Sequence, residues 1–423
     1  MNTNEENLNE EIKDTEEVVS ESTPIEETKT EEATPVVETK TEETKNFEMP
    51  VFGKEKKVKK SRRVLRGDFV ALVCLVLLVI ISAVKIPSFL VDSKLEKLGY
   101  SEKAIEAIKD LKISKTITSN KYYSDYLAAE VTKESFKPEY LELYVYETKL
   151  TDNDFLVYDK LIKMGYTKEE VLRLFKDLNT NEISALVVFE KQANLDTYVN
   201  DCLKNRAINK NGSLVLSGNY FKPYENVTTA PNVGTNSVIA NKRFTLGNYV
   251  PANLTTLNTR YAVDGVELVD EAAKAFVEMC NEMSSNNLGI YAIDGYRSYE
   301  GQKSVYESYS TAAESDLKSI RPGHSEQQTG LLVMVVDGTN EDLSLFPTSP
   351  EFKWLSDNAA KYGFILRYPE NKQSVTAHDA EAYTYRYVGV DLATKIKKSG
   401  LTFEEYYFLY MNQDVPSNSK KDK

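Results

Sequence analysis

The sequence predicts an α+β fold for the carboxyl-terminal part of this 423-residue chain. Helix-like spacing of apolar residues alternates there with two short apolar runs that are typical of buried strands. We expect a domain with a small antiparallel sheet and flanking helices. Ahead of it, paired Gly-Tyr motifs predict a small helical domain, and the uncharged run over residues 69–84 predicts a transmembrane helix. A disordered tail should precede that helix.

The amino-terminal tail has an acidic segment followed by a basic one. Residues 1–50 carry 16 acidic and 4 basic residues, whereas residues 51–66 carry 8 basic residues and 1 acidic residue. So polar a segment buries too little apolar surface to fold, and we expect residues 1–60 to be disordered. The formal net charge of −13 argues against a nucleic-acid partner. Three cysteines exclude a disulfide-built scaffold, although pairing of Cys202 with Cys280 stays open.

The predicted membrane helix covers residues 67–88, and the basic run lies on its amino side. The positive-inside rule then places the tail in the cytoplasm and all later residues outside the cell membrane. A cleavable signal peptide would need a charged region far longer than usual, so the pattern favours an uncleaved, single-pass anchor.

Residues 92–205 are predicted to form a helical, membrane-proximal domain. The segment LEKLGYSEKAI at 95–105 resembles LIKMGYTKEEV at 161–171, and in each a glycine ends one helix. Ser101 and Thr167 are the expected caps of the helices that follow. Such a domain serves as a spacer or as a module that binds the wall or a partner, and the sequence leaves both open. Residues 206–237 read as a linker, and residues 413–423 as a disordered tail.

The predicted α+β domain covers residues 238–412. Its pattern indicates a helix over 270–283, strands over 288–293 and 331–336, and a helix over 351–361 that Gly363 ends. Thr402 and Glu405 have the spacing of a capping box at the start of the last helix.

Five sequence phrases stand out in this domain: DGYRSY at 294–299 with Gln302, RPGHSEQQTG at 321–330, WLSDNA at 354–359, YGFILRYP at 362–369 and YRYVG at 385–389. Together and in this order, they resemble those of the D-alanyl-D-alanine carboxypeptidases of the VanY type. The resemblance implies a zinc peptidase that acts on cell-wall peptidoglycan peptides ending in D-Ala-D-Ala.

The resemblance also implies a His-Asp-His zinc site, but this chain departs from it at all three positions. They are occupied by Gln327, Met334 and Thr384, while the position of the catalytic glutamate retains Glu381. An amide, a thioether and an alcohol bring no charge, whereas catalytic zinc takes imidazole or carboxylate ligands. We therefore expect no zinc and no other cofactor. Without a zinc-bound water of lowered pKa, Glu381 should be idle.

Other cleft positions match the family. By resemblance, Arg297 and Ser325 hold the substrate, with the serine near its carboxylate, and Gln302 accompanies them. A structural ion pair is the alternative for Arg297, and the sequence leaves both open. Residues 332, 334 and 336 share one face of the predicted strand and are all apolar, so we expect an apolar, partly filled cleft floor.

The favoured hypothesis is a membrane-anchored, extracytoplasmic pseudoenzyme that binds a peptidoglycan stem peptide or an envelope protein. An alternative is an active D,D-carboxypeptidase with a relocated metal site that uses His378 as a ligand and Glu381 as the base. His324 fits better as a hydrogen-bonded loop residue than as a ligand. A third possibility is a folded spacer in the envelope. The sequence leaves the natural ligand and the oligomeric state open.

Overall fold

The computed structural model describes residues 67–189, 191–208, 223–338 and 342–412. The chain divides into two compact units, residues 1–71 and residues 72–423, and only residues 67–71 of the first unit are described. The predicted tails at 1–60 and 413–423 lie outside the described residues, as do residues 209–222 of the predicted linker.

Helix α1 spans Gly67–Leu98 and contains the uncharged run. Within the described ranges, no helix combines the length and the apolar character that a membrane crossing requires. The predicted transmembrane helix over 67–88 therefore has no support from the structure.

Short helices follow α1 and pack around a shared apolar core that includes Leu95, Ile108 and Leu161, all 0% exposed. Both cap predictions are confirmed, since Ser101 accepts a hydrogen bond from Ala104 N and Thr167 forms a capping box with Glu170. The helices are α2 (Glu102–Asp110), α3 (Ser114–Asn120), α4 (Asp125–Glu130), α5 (Leu143–Tyr146), α6 (Asp152–Lys163), α7 (Lys168–Asp177), α8 (Thr180–Val188) and α9 (Leu195–Ile208).

The helical segment packs directly on the carboxyl-terminal part of the chain. Asn153 Nδ2 donates to the Ser399 carbonyl at 2.9 Å, and Arg243 Nη1 donates to the Val188 carbonyl at 3.0 Å. The buried apolar residues of both parts belong to one continuous core. Residues 92–205 therefore share a compact unit with the α+β region.

The α+β prediction is confirmed by a four-stranded antiparallel sheet in the order β5-β6-β8-β7. The two predicted strands correspond to β5 and β6. Strands β7 and β8, whose apolar pattern two buried arginines interrupt, were not predicted. The elements of the region are β1 (Thr228–Thr229), β2 (Phe244–Thr245), β3 (Leu254–Thr256), β4 (Glu267–Val269), α10 (Asp270–Ser285), β5 (Tyr291–Asp294), α11 (Tyr299–Glu307), α12 (Ala312–Lys318), β6 (Leu332–Val336), α13 (Pro350–Asn358), β7 (Phe364–Tyr368), α14 (Gln373–Thr376), β8 (Glu381–Tyr387), α15 (Val390–Ser399) and α16 (Phe403–Tyr406).

Helix α10 covers one part of this sheet, as its apolar spacing predicted. Phe276 is 0% exposed, and its ring lies 6.3 Å from the ring of Phe364 on β7. The predicted helix over 351–361 ends earlier, because a 3-10 turn (Ala359–Tyr362) replaces its last residues. Gly363 follows with φ +82°, and a Cβ there would lie 2.6 Å from a ring carbon of Tyr387, so this position requires glycine.

The structure also bears on the predicted capping box and on the two cysteines. Thr402 and Glu405 form the predicted capping box at the start of α16. Cys202 and Cys280, whose pairing stayed open, are both buried free thiols. Burial raises the pKa of each thiol to about 12, which makes both chemically unreactive at neutral pH.

Candidate functional site

A cavity of about 90 Å³ lies where β6, β8, α14 and the 3-10 turn Glu326–Thr329 meet. The three substituted positions, Gln327, Met334 and Thr384, all line it, as does Glu381. Ser325, His324 and His378 line the same cavity, whereas Arg297 and Gln302 are not part of its lining.

Gln327 reaches this cavity from the short turn that Ser325 begins. Ser325 is buried, and its Oγ accepts a hydrogen bond from Gln327 N at 3.3 Å. The side-chain Nε2 of Gln327 donates to Asp294 Oδ2, at the end of β5, at 2.8 Å. A carboxylate accepts hydrogen bonds only, so this contact requires the NH₂ end of the amide to face Asp294. Gln327 is thus held as a hydrogen-bond donor.

Arg297 is committed to partners inside the protein. Its guanidinium forms an ion pair with Asp294 and donates from Nη1 to Gln302 Oε1 at 3.1 Å. Gln302 is buried and donates from Nε2 to the Ile320 carbonyl at 2.6 Å. The two residues therefore hold the loop after β5 in place.

Thr384 and Glu381 meet on β8 although they are three positions apart in the sequence. The register of β7 and β8 shifts between the pairs Leu366–Tyr385 and Tyr368–Glu381. Such an irregularity re-aims side chains relative to a regular strand. The hydroxyl of buried Thr384 donates to Glu381 Oε2 at 2.5 Å. The carboxylate expected to act as the base is therefore engaged by the residue at a ligand position.

The cavity floor comes from β6, and it is apolar as predicted at two positions. Leu332 is buried, Met334 is half-buried, and both line the cavity, while Val336 lies outside the lining. The volume of about 90 Å³ is small beside the roughly 300–1,000 Å³ of typical ligand pockets. The walls carry polar side chains, so the site is a small cavity with an apolar floor.

Both histidines face this cavity with the same ring nitrogen already engaged. His378 stacks on Tyr368 with ring centroids 3.8 Å apart, and its Nδ1 donates to the Asp379 carbonyl at 2.9 Å. His324 Nδ1 donates to the Asn241 carbonyl at 2.8 Å. Since a carbonyl oxygen only accepts, Nδ1 carries the proton in each ring. Burial lowers the pKa of both imidazoles.

These residues do not fit a catalytic zinc ion. Gln327 and Thr384 point hydrogen-bond donors at carboxylates, which is the opposite of presenting lone pairs to a cation. Across the described ranges, no group of three or more His, Cys, Asp or Glu side chains is placed to hold a metal. The arrangement instead satisfies its two carboxylates, Asp294 and Glu381, by hydrogen bonds.

A buried charge network fixes the turn that carries Gln327. Arg367 on β7 donates to Glu326 at 2.8 Å and to Glu404 at 2.9 Å, and all three side chains are 0% exposed. Arg386 on β8 lies 3.4 Å from Glu326. The sequence analysis missed this network, because partners 37 and 41 residues apart leave no local signal.

Lys242 is a second feature that the sequence analysis missed. It lines the cavity and is half-buried. Burial lowers the pKa of its ammonium, and the charges of Asp379 and Asp316 partly oppose that shift. A lysine two positions after the buried residues Val238–Ala240 was the available signal.

Comparison with known proteins places this geometry in a family. The family model "VanY: D-alanyl-D-alanine carboxypeptidase" matches residues 265–390. A protein named "Putative carboxypeptidase YodJ" from Bacillus subtilis is 33% identical over 216 residues, 47% of this chain and 77% of the relative. A "D-alanyl-D-alanine carboxypeptidase" from Enterococcus faecium is 31% identical over 202 residues, 41% of this chain and 64% of the relative.

Among solved structures, the LdcB LD-carboxypeptidase is 32% identical, with a TM-score of 0.40 and coverage of 44% of this chain and 92% of that chain. The relative from Bacillus subtilis is matched over 77% of its length. All five sequence phrases lie within residues 265–390, the range that the family model matches. The chain belongs to the VanY-type D-alanyl-D-alanine carboxypeptidase family.

Proposed function

We propose that this protein binds peptidoglycan stem peptides at the carboxypeptidase-like cavity without hydrolysing them. The observation that carries the proposal is the direction of two hydrogen bonds. Gln327 and Thr384, at positions where the family has zinc ligands, each donate to a carboxylate. Neither side chain offers the imidazole or carboxylate group that catalytic zinc takes as a ligand.

With Gln327 and Thr384 at the ligand positions, the site lacks the chemistry that zinc supplies. In the family, zinc supplies an activated water and polarises the scissile carbonyl. Here Glu381 already accepts a hydrogen bond from Thr384 at 2.5 Å, so it has neither a zinc-bound water to deprotonate nor a free oxygen on that side. A bound peptide should therefore stay intact.

The ligand class comes from the family and from the cavity. Relatives are named D-alanyl-D-alanine carboxypeptidases, and their substrates end in a small residue with a free carboxylate. A cavity of about 90 Å³ with an apolar floor accommodates a methyl-sized side chain better than a bulky one. We favour a stem peptide over an envelope protein for this reason.

Metal analysis and a D-alanine release assay test the proposal together. The full chain, loaded with zinc and purified, should retain no stoichiometric metal and release no D-alanine from a pentapeptide ending in D-Ala-D-Ala. Calorimetry should nevertheless detect binding of the same pentapeptide. Stoichiometric zinc together with D-alanine release would overturn the proposal.

One observation favours the alternative of an active enzyme with a relocated metal site. His378 and Glu381 line the same cavity, and His378 uses Nδ1 for a backbone carbonyl, the arrangement in which metal-binding histidines are usually held. Under that alternative, His378→Ala abolishes both zinc binding and D-alanine release. Under our proposal, wild type and His378→Ala are equally inactive.

Membrane attachment is also part of the proposal and rests on the sequence alone. The uncharged run at 69–84 and the basic run before it suggest a single-pass anchor, with the amino end in the cytoplasm and the later residues outside. If so, the protein stays in the membrane fraction after alkaline carbonate extraction, and external protease cleaves it in intact protoplasts. Release by carbonate would refute the anchor without affecting the binding proposal.

A further inference from the structure

The cavity contains one cation that forms no ion pair with any described residue. Among the described residues that line the cavity, Lys242 is the sole lysine or arginine. No carboxylate of the described chain lies within ion-pair distance of its ammonium, although Asp379 and Asp316 influence it from farther away.

Three other carboxylates at or near the cavity are engaged elsewhere. Asp316 accepts two hydrogen bonds from Arg321, at 2.8 and 2.7 Å. Glu326 pairs with Arg367 in the buried network, and Glu381 accepts from Thr384. None of these three groups forms an ion pair with Lys242, and Asp379 acts on its charge only from beyond ion-pair distance. The cavity therefore keeps a positive end beside this residue.

The burial of Lys242 has an electrostatic consequence. Burial leaves the ammonium less well solvated than that of a surface lysine, and this loss of solvation lowers the pKa of Lys242. An anion beside it would replace the lost solvation, and charge-assisted hydrogen bonds of this kind are about twice as strong as neutral ones.

Arg297, which the family resemblance implies as the substrate-binding cation, is not available in this arrangement. It lies outside the cavity lining, paired with Asp294 and hydrogen-bonded to Gln302. Glu381, on β8, would repel an incoming carboxylate. A peptide carboxylate is therefore favoured at the Lys242 end of the cavity.

We propose that Lys242 binds the terminal carboxylate of the peptide that enters this cavity. The inference rests on the proposed function, and it adds that the site selects peptides with a free carboxyl end. The ammonium of Lys242 would supply the positive charge that the side chains at the family's zinc positions do not hold here.

The test compares one peptide in two forms on the full chain. A pentapeptide ending in D-Ala-D-Ala is titrated by calorimetry as the free acid and as the carboxyl-terminal amide. Wild type should prefer the acid by about tenfold or more, which corresponds to 1.4 kcal/mol or more. Lys242→Met should bind acid and amide equally, and Lys242→Arg should retain most of the preference. Lys353→Met, an exposed charge loss on α13, is the matched control and should behave as wild type.

A second measurement separates this inference from the proposed function. In the full chain with ¹³C-methylated lysines, N-acetyl-D-alanine should shift the Lys242 signal, identified with Lys242→Arg, and its amide should not. Pentapeptide binding that Lys242→Met leaves unchanged would overturn the role of Lys242 and leave the proposed function standing. A shifted Lys242 signal without pentapeptide binding would overturn the proposed function and leave the carboxylate site standing. If the Lys242 signal does not shift and the pentapeptide does not bind, both the carboxylate site and the proposed function are overturned.

Discussion

Replacing Arg367 by methionine should destabilise the protein strongly, because it strands two buried carboxylates. Arg367 donates to Glu326 at 2.8 and 3.1 Å and to Glu404 at 2.9 Å, and none of the three side chains is exposed. Removing one partner of a buried ion pair costs about 3–5 kcal/mol. Since Arg367 serves two carboxylates, we expect a loss of about 3–5 kcal/mol in the free energy of unfolding, at the upper end of that range.

Urea unfolding of the full chain, followed by far-UV circular dichroism at pH 7, measures this loss. Adding Glu404→Gln to Arg367→Met removes one stranded charge, so the double variant should recover part of the loss. Coupling energies between such neighbours are about 0.5–3 kcal/mol. Glu326 still has Arg386 at 3.4 Å, which limits the damage on that side.

Two results would refute the reasoning. One is an Arg367→Met variant within about 1 kcal/mol of wild type, since that is far less than a broken buried pair should cost. The other is a double variant less stable than the single one, because the stranded charge would then not be the cause. Lys353→Met, which removes an exposed pair with Asp357, controls for loss of a cation and should change the stability little.

Three further predictions concern the histidines, the cavity and the sheet. Burial lowers the pKa of His324 and His378, so below about pH 6.5 the unfolded chain binds protons that the folded chain does not. The free energy of unfolding should stay constant above that pH and fall as the pH drops toward 5.5. The fall should be smaller in His378→Gln. An equal fall in that variant would show that His378 is not one of the groups responsible. The triple variant Gln327→His, Met334→Asp and Thr384→His should gain zinc in metal analysis where wild type has none, and an unchanged metal content would count against the assigned ligand positions. Gly363→Ala should cost about 1–3 kcal/mol in urea unfolding, because it forces alanine to φ +82° against Tyr387, and a neutral effect would show that the turn relaxes.

Local patterns predicted the elements in which apolar residues recur with the period of a helix or form an apolar run typical of a buried strand. The apolar spacing of α10 and the apolar run of β6 need no distant partner to be recognised. Strands β7 and β8 were not predicted, because each carries a fully buried arginine, Arg367 on β7 and Arg386 on β8. A charge in an apolar run indicates a solvent-exposed position unless its partner is known, and Glu404 lies 37 residues from Arg367 along the chain.

The site was predicted in part, through the family resemblance. Gln327, Thr384 and Glu381 come together at one cavity, as the matching of sequence phrases implied. For Arg297, the sequence left substrate binding and a structural ion pair open, and the structure pairs its guanidinium with Asp294. Lys242 lies outside the five sequence phrases, so neither periodicity nor resemblance indicated it.

The cavity can keep its form without a metal because hydrogen-bond donors replace the cation. A zinc ion holds its surroundings together by neutralising lone pairs that would otherwise repel one another. Here Asp294 receives Arg297 and Gln327, and Glu381 receives the hydroxyl of Thr384, so neither carboxylate needs an ion. These contacts leave the negative charge of Glu381 on one wall and the positive charge of Lys242 on another. Under the proposed function, a peptide that presents a carboxylate to Lys242 and an amide N–H toward Glu381 would satisfy both walls.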